Sequence, residues 1–560
     1  MKSYQKDRLS HLLELFSVKS GTSLLIVTLP QHAAPAQRES EVEFLSEARS
    51  LFSEKKITVE TYPIDKLQSM WDDRMYDTII LRYVLYYRRG KPMDERKSLG
   101  LLARHLNADG TIYILENNRM GVRTLAGDRF DGLDKDKGLI RQELIRAFEY
   151  AGLFPMVYYP HPFAEELSFL FSDERLPQKE RLLVSVREGT GRVAFFDEAS
   201  VMSSAVREGL FPSMANQFFC VLKKHQDDKS VLVYRRYDIR RDKKFATITD
   251  VMQAKDGTRT LIRRAASPSS AAHVLRVYDN YQRLSELYKG YTLQIAPSVC
   301  DMDRVAMRLS DRTTLEELLD ETIDRQANEE FFGLIQRTYD ILTSPTRILT
   351  DDGRRKQREA FSEDAGFVRA FGSFYGREEE LFLDDRVLPL SPINGSFSDY
   401  TVEGTRWTLN EYEWVVDFPV PFSYVLFRML HRFFLEEPRR NLDGALMTDT
   451  FRRFGISEEM ERALIRMEGH FAGYVTGRAM TVEKVLDTAK KHGDFLPAGE
   501  LIADFLDGNG QLSARQEEEY DAVGKDFKSR FIGRLRQLLS FGNSDEESDE
   551  VTDEPEGSSI

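Results

Sequence analysis

Cysteine is nearly absent: Cys220 and Cys300 are the two in 560 residues. They form neither a disulfide framework nor a CxxC clip, which excludes a stapled or zinc-ribbon fold. The nine histidines stand singly along the chain, with no pair at ligand spacing, so no metal site is expected. No apolar run approaches the ~20 residues that span a bilayer. The N-terminus, MKSYQKDRLSHLLELF, reads as an amphipathic helix and lacks the apolar core of a signal peptide. The cytoplasm is therefore the expected compartment. Positive charge is in deficit: the formal net charge is −14, whereas a nucleic-acid binder needs a basic footprint to release counterions. Nucleic acid is not an expected partner.

What is present describes a globular protein of several parts. Hydrophobic residues make up 41% and charged residues 30% of the chain, an ordinary balance for a soluble fold. The length suggests about three or four domains. Over residues 1–190, SLLIVTL (Ser23–Leu29) is a continuous apolar run suited to a buried parallel strand. A helix is predicted over roughly Glu39–Lys55, and ITVETYP (Ile57–Pro63), TIILRYVLYY (Thr78–Tyr87) and TIYILEN (Thr111–Asn117) read as further strands. This alternation predicts an α/β fold with a doubly wound parallel sheet. Ligands of such sheets bind at the carboxyl ends of the strands, where the topology reverses. Glycine is missing there: VTLPQHAAPAQRES, from Val27 to Ser40, contains none.

The order strand, helix, Asp-Gly, strand, Glu-Asn over Tyr76–Asn117 resembles the second half of a class I S-adenosylmethionine methyltransferase. The run ENNRMGVRTLAG (Glu116–Gly127), YYPHP (Tyr158–Pro162) and SDERLP (Ser172–Pro177) narrow the resemblance. They look like the methyltransferase-like proteins encoded beside bacterial rhamnan-type cell-surface polysaccharide genes. The resemblance implies S-adenosylmethionine as cofactor, with Leu29, Glu60 and Asp65 at its cradle. It also implies Glu116, Asn117 and Asn118 near the acceptor, a glycan or nucleotide sugar, with glycosyltransferases as partners. The residues themselves keep a second reading open, in which Glu116–Asn118 make a hydrogen-bonded turn. Tyr158, Tyr159 and His161 are likewise either a rim for a sugar or nucleotide, or core.

Residues 191–440 change character. Val231–Tyr237, Phe245–Val251 and Arg259–Ala265 read as alternating strands joined by polar turns, and a helix follows over about Pro268–Tyr288. VAMRLSDRTTLEELLDETI (Val305–Ile323) is a strand leading into a Thr-capped acidic helix. This plan of small antiparallel lobe, hinge and helical lobe resembles the aminoglycoside- and choline-kinase-like fold. In such a fold a lysine precedes the main helix; here LIRRA offers Arg263 and Arg264, the second taken as the nucleotide candidate. SPINGSFSDYTV (Ser391–Val402) matches the catalytic loop, with Asn394 at the base position and Asp399 at the metal-ligand asparagine. In WTLNEYEWVVDFPVP (Trp407–Pro421), Glu411 and Glu413 are candidates for the magnesium carboxylate. Asparagine is a poor general base, and arginine does not replace lysine in geometry. A Mg-nucleotide is thus the weaker of the two cofactor expectations.

Residues 441–542 read as a helical extension. Ile456–Gly477 is an amphipathic helix with Ser457 as N-cap, and shorter helices follow near Val482–Lys491 and Ala498–Leu506. A basic amphipathic helix over about Ser513–Phe541 suits either docking on the core or contact with anionic lipid. Residues 543–560, ending SDEESDEVTDEPEGSSI, are acidic and lack aromatics, the composition of a disordered tail. Three functions follow in order: a methyltransferase-like protein of surface-glycan assembly, a catalytically degenerate scaffold for glycan assembly, and a phosphotransferase.

Overall fold

The computed structural model describes residues 13–69, 73–126, 138–177, 193–346 and 361–477, with short breaks inside the last two ranges, and 496–497. The N-terminal helix before residue 13, the helices expected after residue 480 and the acidic tail lie outside the described residues. The chain divides into two units. The smaller one includes a short parallel pairing of Val193–Ala194 with Leu496–Pro497.

The larger unit is organised by a single twelve-stranded sheet. Its first strands are β1 (Ser23–Thr28), β2 (Thr58–Pro63), β3 (Tyr76–Arg82) and β4 (Leu106–Asn117), parallel in the order β2-β1-β3-β4. Chain order reverses between β1 and β3, as in a doubly wound sheet. Leu24, Leu25, Ile26 and Val27 are all buried, because helices cover both faces of a parallel strand. Helix α1 (Pro35–Glu54) opens with proline at its first turn, where no backbone donor is lost. It lays Phe44, Ala48 and Phe52, one helical turn apart, into the cluster that holds Leu24, Ile26 and Ile80. Helices α2 (Glu95–Arg104) and α3 (Arg141–Ala151) pack on each other. Between β2 and β3 the described crossover is a single 3-10 turn, Ile64–Ser69, where a helix would be usual.

Beyond β4 the sheet turns antiparallel. Strand β5 (Phe154–His161) pairs with β6 (Phe169–Ser172), while β7 (Gln217–Lys223) lies between β4 and β5. From sequence, Gln217–Lys223 belongs to the second region; its pairing partners are strands of the first. Strand β6 then pairs with β8 (Val231–Tyr237), which continues through β9 (Thr247–Gln253) and β10 (Arg259–Ala265) to β12 (Arg304–Arg308) and β11 (Ser298–Asp301). The strands of residues 1–190 and those of residues 191–440 therefore share one hydrogen-bonded ladder. Leu13–Val18 reinforces the join, since Phe16 shares a cluster with Tyr113 and Phe219 on one side and Tyr237 and Ile248 on the other.

Three local expectations shift. Strand β3 stops at Arg82 because Tyr83 turns left-handed, at φ 54°, and Leu85–Arg88 coils into a 3-10 turn. The Asn107–Gly110 stretch lies inside β4 as an irregularity, since Tyr76 pairs with Leu106 but Thr78 with Thr111. Strand β9 starts at Thr247, and Phe245 instead turns inward against His273, Trp414 and Tyr474.

Helix α4 (Ala271–Leu287) lies against β10, β11 and β12. The helical lobe carries α5 (Leu315–Asp324), α6 (Asn328–Leu342), α7 (Phe422–Glu436) and α8 (Glu458–Thr476) around a core of Phe331, Phe371, Phe427 and Phe433. Both caps read from sequence are formed. The Thr314 hydroxyl accepts from Glu317 N at 3.2 Å and Glu317 accepts from Thr314 N at 2.8 Å; Ser457 accepts from Met460 N at 3.2 Å. Thr314→Ala is expected to cost about 1 kcal/mol, measured as a shift in the denaturant midpoint. No helix among the described residues is long and apolar enough to cross a membrane.

Candidate functional site

Parallel register aligns Thr28 with Pro63, Val27 with Leu81, and Arg82 with Leu115. The Leu29–Pro35 turn, Asp65, Tyr83–Arg88 and Glu116–Asn118 therefore gather at one edge of the sheet, the carboxyl edge where such folds bind ligands. The turn after β1 is held by the protein itself. Leu29 N donates to Glu41 of α1 at 2.6 Å. Gln37 bridges two tyrosines of the next loop: its Nε2 donates to Tyr86 Oη at 3.1 Å, and Tyr87 Oη donates to its Oε1 at 2.5 Å. The His32 ring meets Tyr87 edge-on at 5.8 Å. Glu60 lies opposite Leu25 in the middle of β2, about 10 Å short of the strand end at 3.3 Å per residue. There it accepts from Arg74 at 2.8 Å and Tyr76 at 2.9 Å. Asp65 is exposed and lies two residues past Pro63, the end of β2.

Glu116 is wholly buried at the end of β4. One carboxylate oxygen accepts from Leu85 N at 3.1 Å, and the other is enclosed without a hydrogen-bond partner. Burial pushes its carboxyl up to about 8, against the lowering effect of the Leu85, Tyr86 and Asn117 amides. Asn117 and Asn118 are engaged in structure. Asn117 accepts from Gln217 at 3.0 Å. Asn118 donates to the Ser213 and Ala215 carbonyls at 2.8 and 2.7 Å and accepts from Met120 N at 3.0 Å. Tyr158, Tyr159 and His161 are all buried. Tyr159 donates to Asp173 at 2.5 Å and accepts from Arg141 at 3.0 Å.

Of the kinase-like candidates, Glu411 and Glu413 meet the antiparallel lobe through Arg263. Successive side chains of a strand face opposite ways, so Arg263 and Arg264 part company. Arg263 is 1% exposed and donates both terminal nitrogens to Glu411, at 3.0 and 2.7 Å. Arg264 faces the other side, 3.9 Å from Glu14 and 3.8 Å from Asp250. Glu413 is paired with Arg241 and hydrogen-bonded to His273 at 2.8 Å, with Arg263 3.7 Å away. Burial alone would push Glu413 up, but Arg263, Arg241 and His273 hold it well below the usual carboxylate range. From α4, Asn280 donates to the Tyr412 and Glu413 carbonyls at 2.9 and 3.1 Å.

Asn394 accepts from Trp414 N at 2.6 Å, and its carbonyl accepts from Arg432. Asp399 keeps part of its surface open, yet desolvation and the neighbouring Glu411 push its carboxyl up to about 8. Of the sequence candidates, Asp399, Glu411 and Glu413 are thus brought together, and Arg264 is not among them. Arg241, His273, Asn280, Glu41 and Gln37 carry no motif that marks them, because each acts through a partner distant in sequence. Among the described residues no group of three or more His, Cys, Asp or Glu could hold a metal ion.

No family model and no curated protein matches the chain. Solved structures align with parts of the chain. One is a SAM-dependent methyltransferase of Thermotoga maritima, 12% identical, covering 40% of this chain and 91% of its own, with a TM-score of 0.23. Another, from Archaeoglobus fulgidus, is 16% identical, covers 39% and 92%, and also scores 0.23. A macrolide 2'-phosphotransferase of Brachybacterium faecium is 10% identical, covers 52% and 96%, and scores 0.24. The chain itself carries a doubly wound parallel part and an antiparallel part on one ladder.

Proposed function

We propose that this chain is a binding scaffold in which two enzyme-like folds are kept without turnover, acting in cell-surface glycan assembly. The glycan setting rests on the sequence resemblance alone. The observation that carries the scaffold reading is the Arg263–Glu411 pair with Glu413, Arg241 and His273 around it. A phosphotransferase aims such charges at phosphate and magnesium; here they are engaged with one another. The Leu29 N–Glu41 bond is the same kind of occupation at the methyltransferase-like edge.

A second reading is favoured by one residue. Asp65 is exposed just past the end of β2, where an acidic group holds ribose hydroxyls in nucleotide folds. It makes the chain a methyltransferase that binds S-adenosylmethionine in a glycine-free cradle. Calorimetric titration of the full chain with S-adenosylhomocysteine, and separately with Mg-ATP, decides between them. No heat from either ligand is the scaffold's expected result. Micromolar S-adenosylhomocysteine binding that Asp65→Ala abolishes would replace it with the methyltransferase.

A further inference from the structure

Arg241–Phe245, in the chain between β8 and β9, reaches from the antiparallel strands to the helical lobe. The Asp242 amide donates to the Val475 carbonyl at 2.9 Å. Val475 lies in the last turn of α8, whose carbonyls have no donor within the helix, so a strand connection of one lobe caps a helix of the other. Lys244 Nζ stands over the Tyr474 ring at 5.2 Å, a cation at a helix C-terminus, where the dipole favours one. Arg241 pairs with Glu413, and the Phe245 ring lies 5.2, 5.1 and 5.1 Å from those of His273, Trp414 and Tyr474.

This strap is held more lightly than the strands it joins. Strands β8 and β9 are each hydrogen-bonded on both sides within the sheet. The strap has one backbone bond to α8 among the described residues, and Lys243 and Lys244 are exposed, with Phe245 as its one buried ring. Segments with few buried apolar contacts open below the cost of global unfolding. Lifting it strands no charge, because Glu413 keeps His273 at 2.8 Å and Arg263 at 3.7 Å when Arg241 leaves. Beneath it lie His273 and Glu413, 7% and 4% exposed, covered by Phe245 and Arg241.

We propose that Arg241–Phe245 is a latch between the two lobes. It lifts as a unit, frees the last turn of α8, and opens His273 and Glu413 to solutes. The latch thus governs access to the paired charges on which the scaffold reading rests, whatever those charges bind.

Hydrogen exchange of the full chain, read peptide by peptide by mass spectrometry, tests this against a locked form. An ideal Cβ on Gly477 lies 3.2 Å from Asp242 Cβ, a few tenths of an ångström inside the usual disulfide separation. Asp242→Cys with Gly477→Cys, in a Cys300→Ser background, is therefore oxidised to hold the latch down. In the wild type, residues 241–245 and the end of α8 should exchange together, at least about tenfold faster than β8 and β9. Oxidation of the double cysteine should slow both segments, and the modification of His273 by diethyl pyrocarbonate, at least about tenfold, with reduction restoring all three. Phe245→Ala, which needs no left-handed cysteine at Gly477, should speed both segments and leave β8 and β9 unchanged. Exchange of the strap no faster than β8 and β9, a helix end that does not move with it, or His273 equally reactive in the oxidised and reduced forms overturns the proposal. Ligand titration decides the scaffold reading and exchange decides the latch, so either can fail alone.

Discussion

Arg263→Ala is expected to lower stability by about 3–5 kcal/mol, the usual consequence of removing one partner from a buried ion pair. The mutation leaves Glu411 with the Glu413 amide as its hydrogen-bond donor and Glu413 with Arg241 and His273 as its remaining partners. Lysine should recover part of the loss and not all of it, because a point charge cannot donate the parallel pair that Glu411 accepts at 3.0 and 2.7 Å. Arg263→Met combined with Glu411→Leu should cost less than Arg263→Ala alone, since no charge is then stranded. Denaturant unfolding followed by tryptophan fluorescence reads all three, as Trp414 sits against Phe245 and His273. The pH dependence has a definite sign. Glu413 is held well below its ordinary range, so its stabilisation is present above that range and disappears as pH falls through the depressed value. Wild type and Arg263→Ala should converge in acid. A loss smaller than about 1 kcal/mol near neutrality, the range of a surface pair, would mean the cluster does not hold the lobes together.

Glu116→Gln is expected to work in the opposite direction and to stabilise the protein in alkali. A carboxyl raised from 4.5 to about 8 binds its proton more tightly folded than unfolded. Stability therefore falls as pH rises from the unfolded value through the folded one, by about 5 kcal/mol at about 1.4 kcal/mol per unit. Glutamine keeps an oxygen for the Leu85 amide and removes the ionisation. Its amide nitrogen inherits the enclosed position of the second oxygen, at a cost of about 1–3 kcal/mol. The net gain is on the order of 2–4 kcal/mol at pH 9, with little difference or a small loss at pH 5. Melting temperatures of both proteins across that range are the measurement. Parallel curves would show that Glu116 does not titrate inside the fold.

Much of the scaffold was legible from local pattern. The unbroken apolar run at Ser23–Leu29 could only be a strand covered on both sides, and it is. The Thr314 and Ser457 caps were visible because a cap is a relation between residues three apart. The end of β3 was not, because Thr78–Tyr87 is apolar throughout and the left-handed Tyr83 breaks the strand without glycine. Glu116–Asn118 presented two readings of equal weight. Their hydrogen bonds engage both asparagines in turns that close with Gln217, Ser213 and Ala215, nearly a hundred residues away.

The amino-acid sequence by itself determined the elements, their order, their caps and the absence of glycine at the first turn, since each depends on neighbours along the chain. The tertiary structure alone decided that Gln217–Lys223 inserts between β4 and β5, and that Arg263 rather than Arg264 enters the cleft. Period-two alternation leaves two consecutive arginines equivalent until pairing with β9 and β12 assigns each a face. The same holds for chemistry. Glu411 and Glu413 could be recognised as carboxylates in a strand-end slot, but whether they face a ligand or an arginine is settled by chain folding back from Arg241, Arg263 and His273. Burial makes such pairing obligatory, because a carboxylate taken out of water must find its counter-charge within the fold.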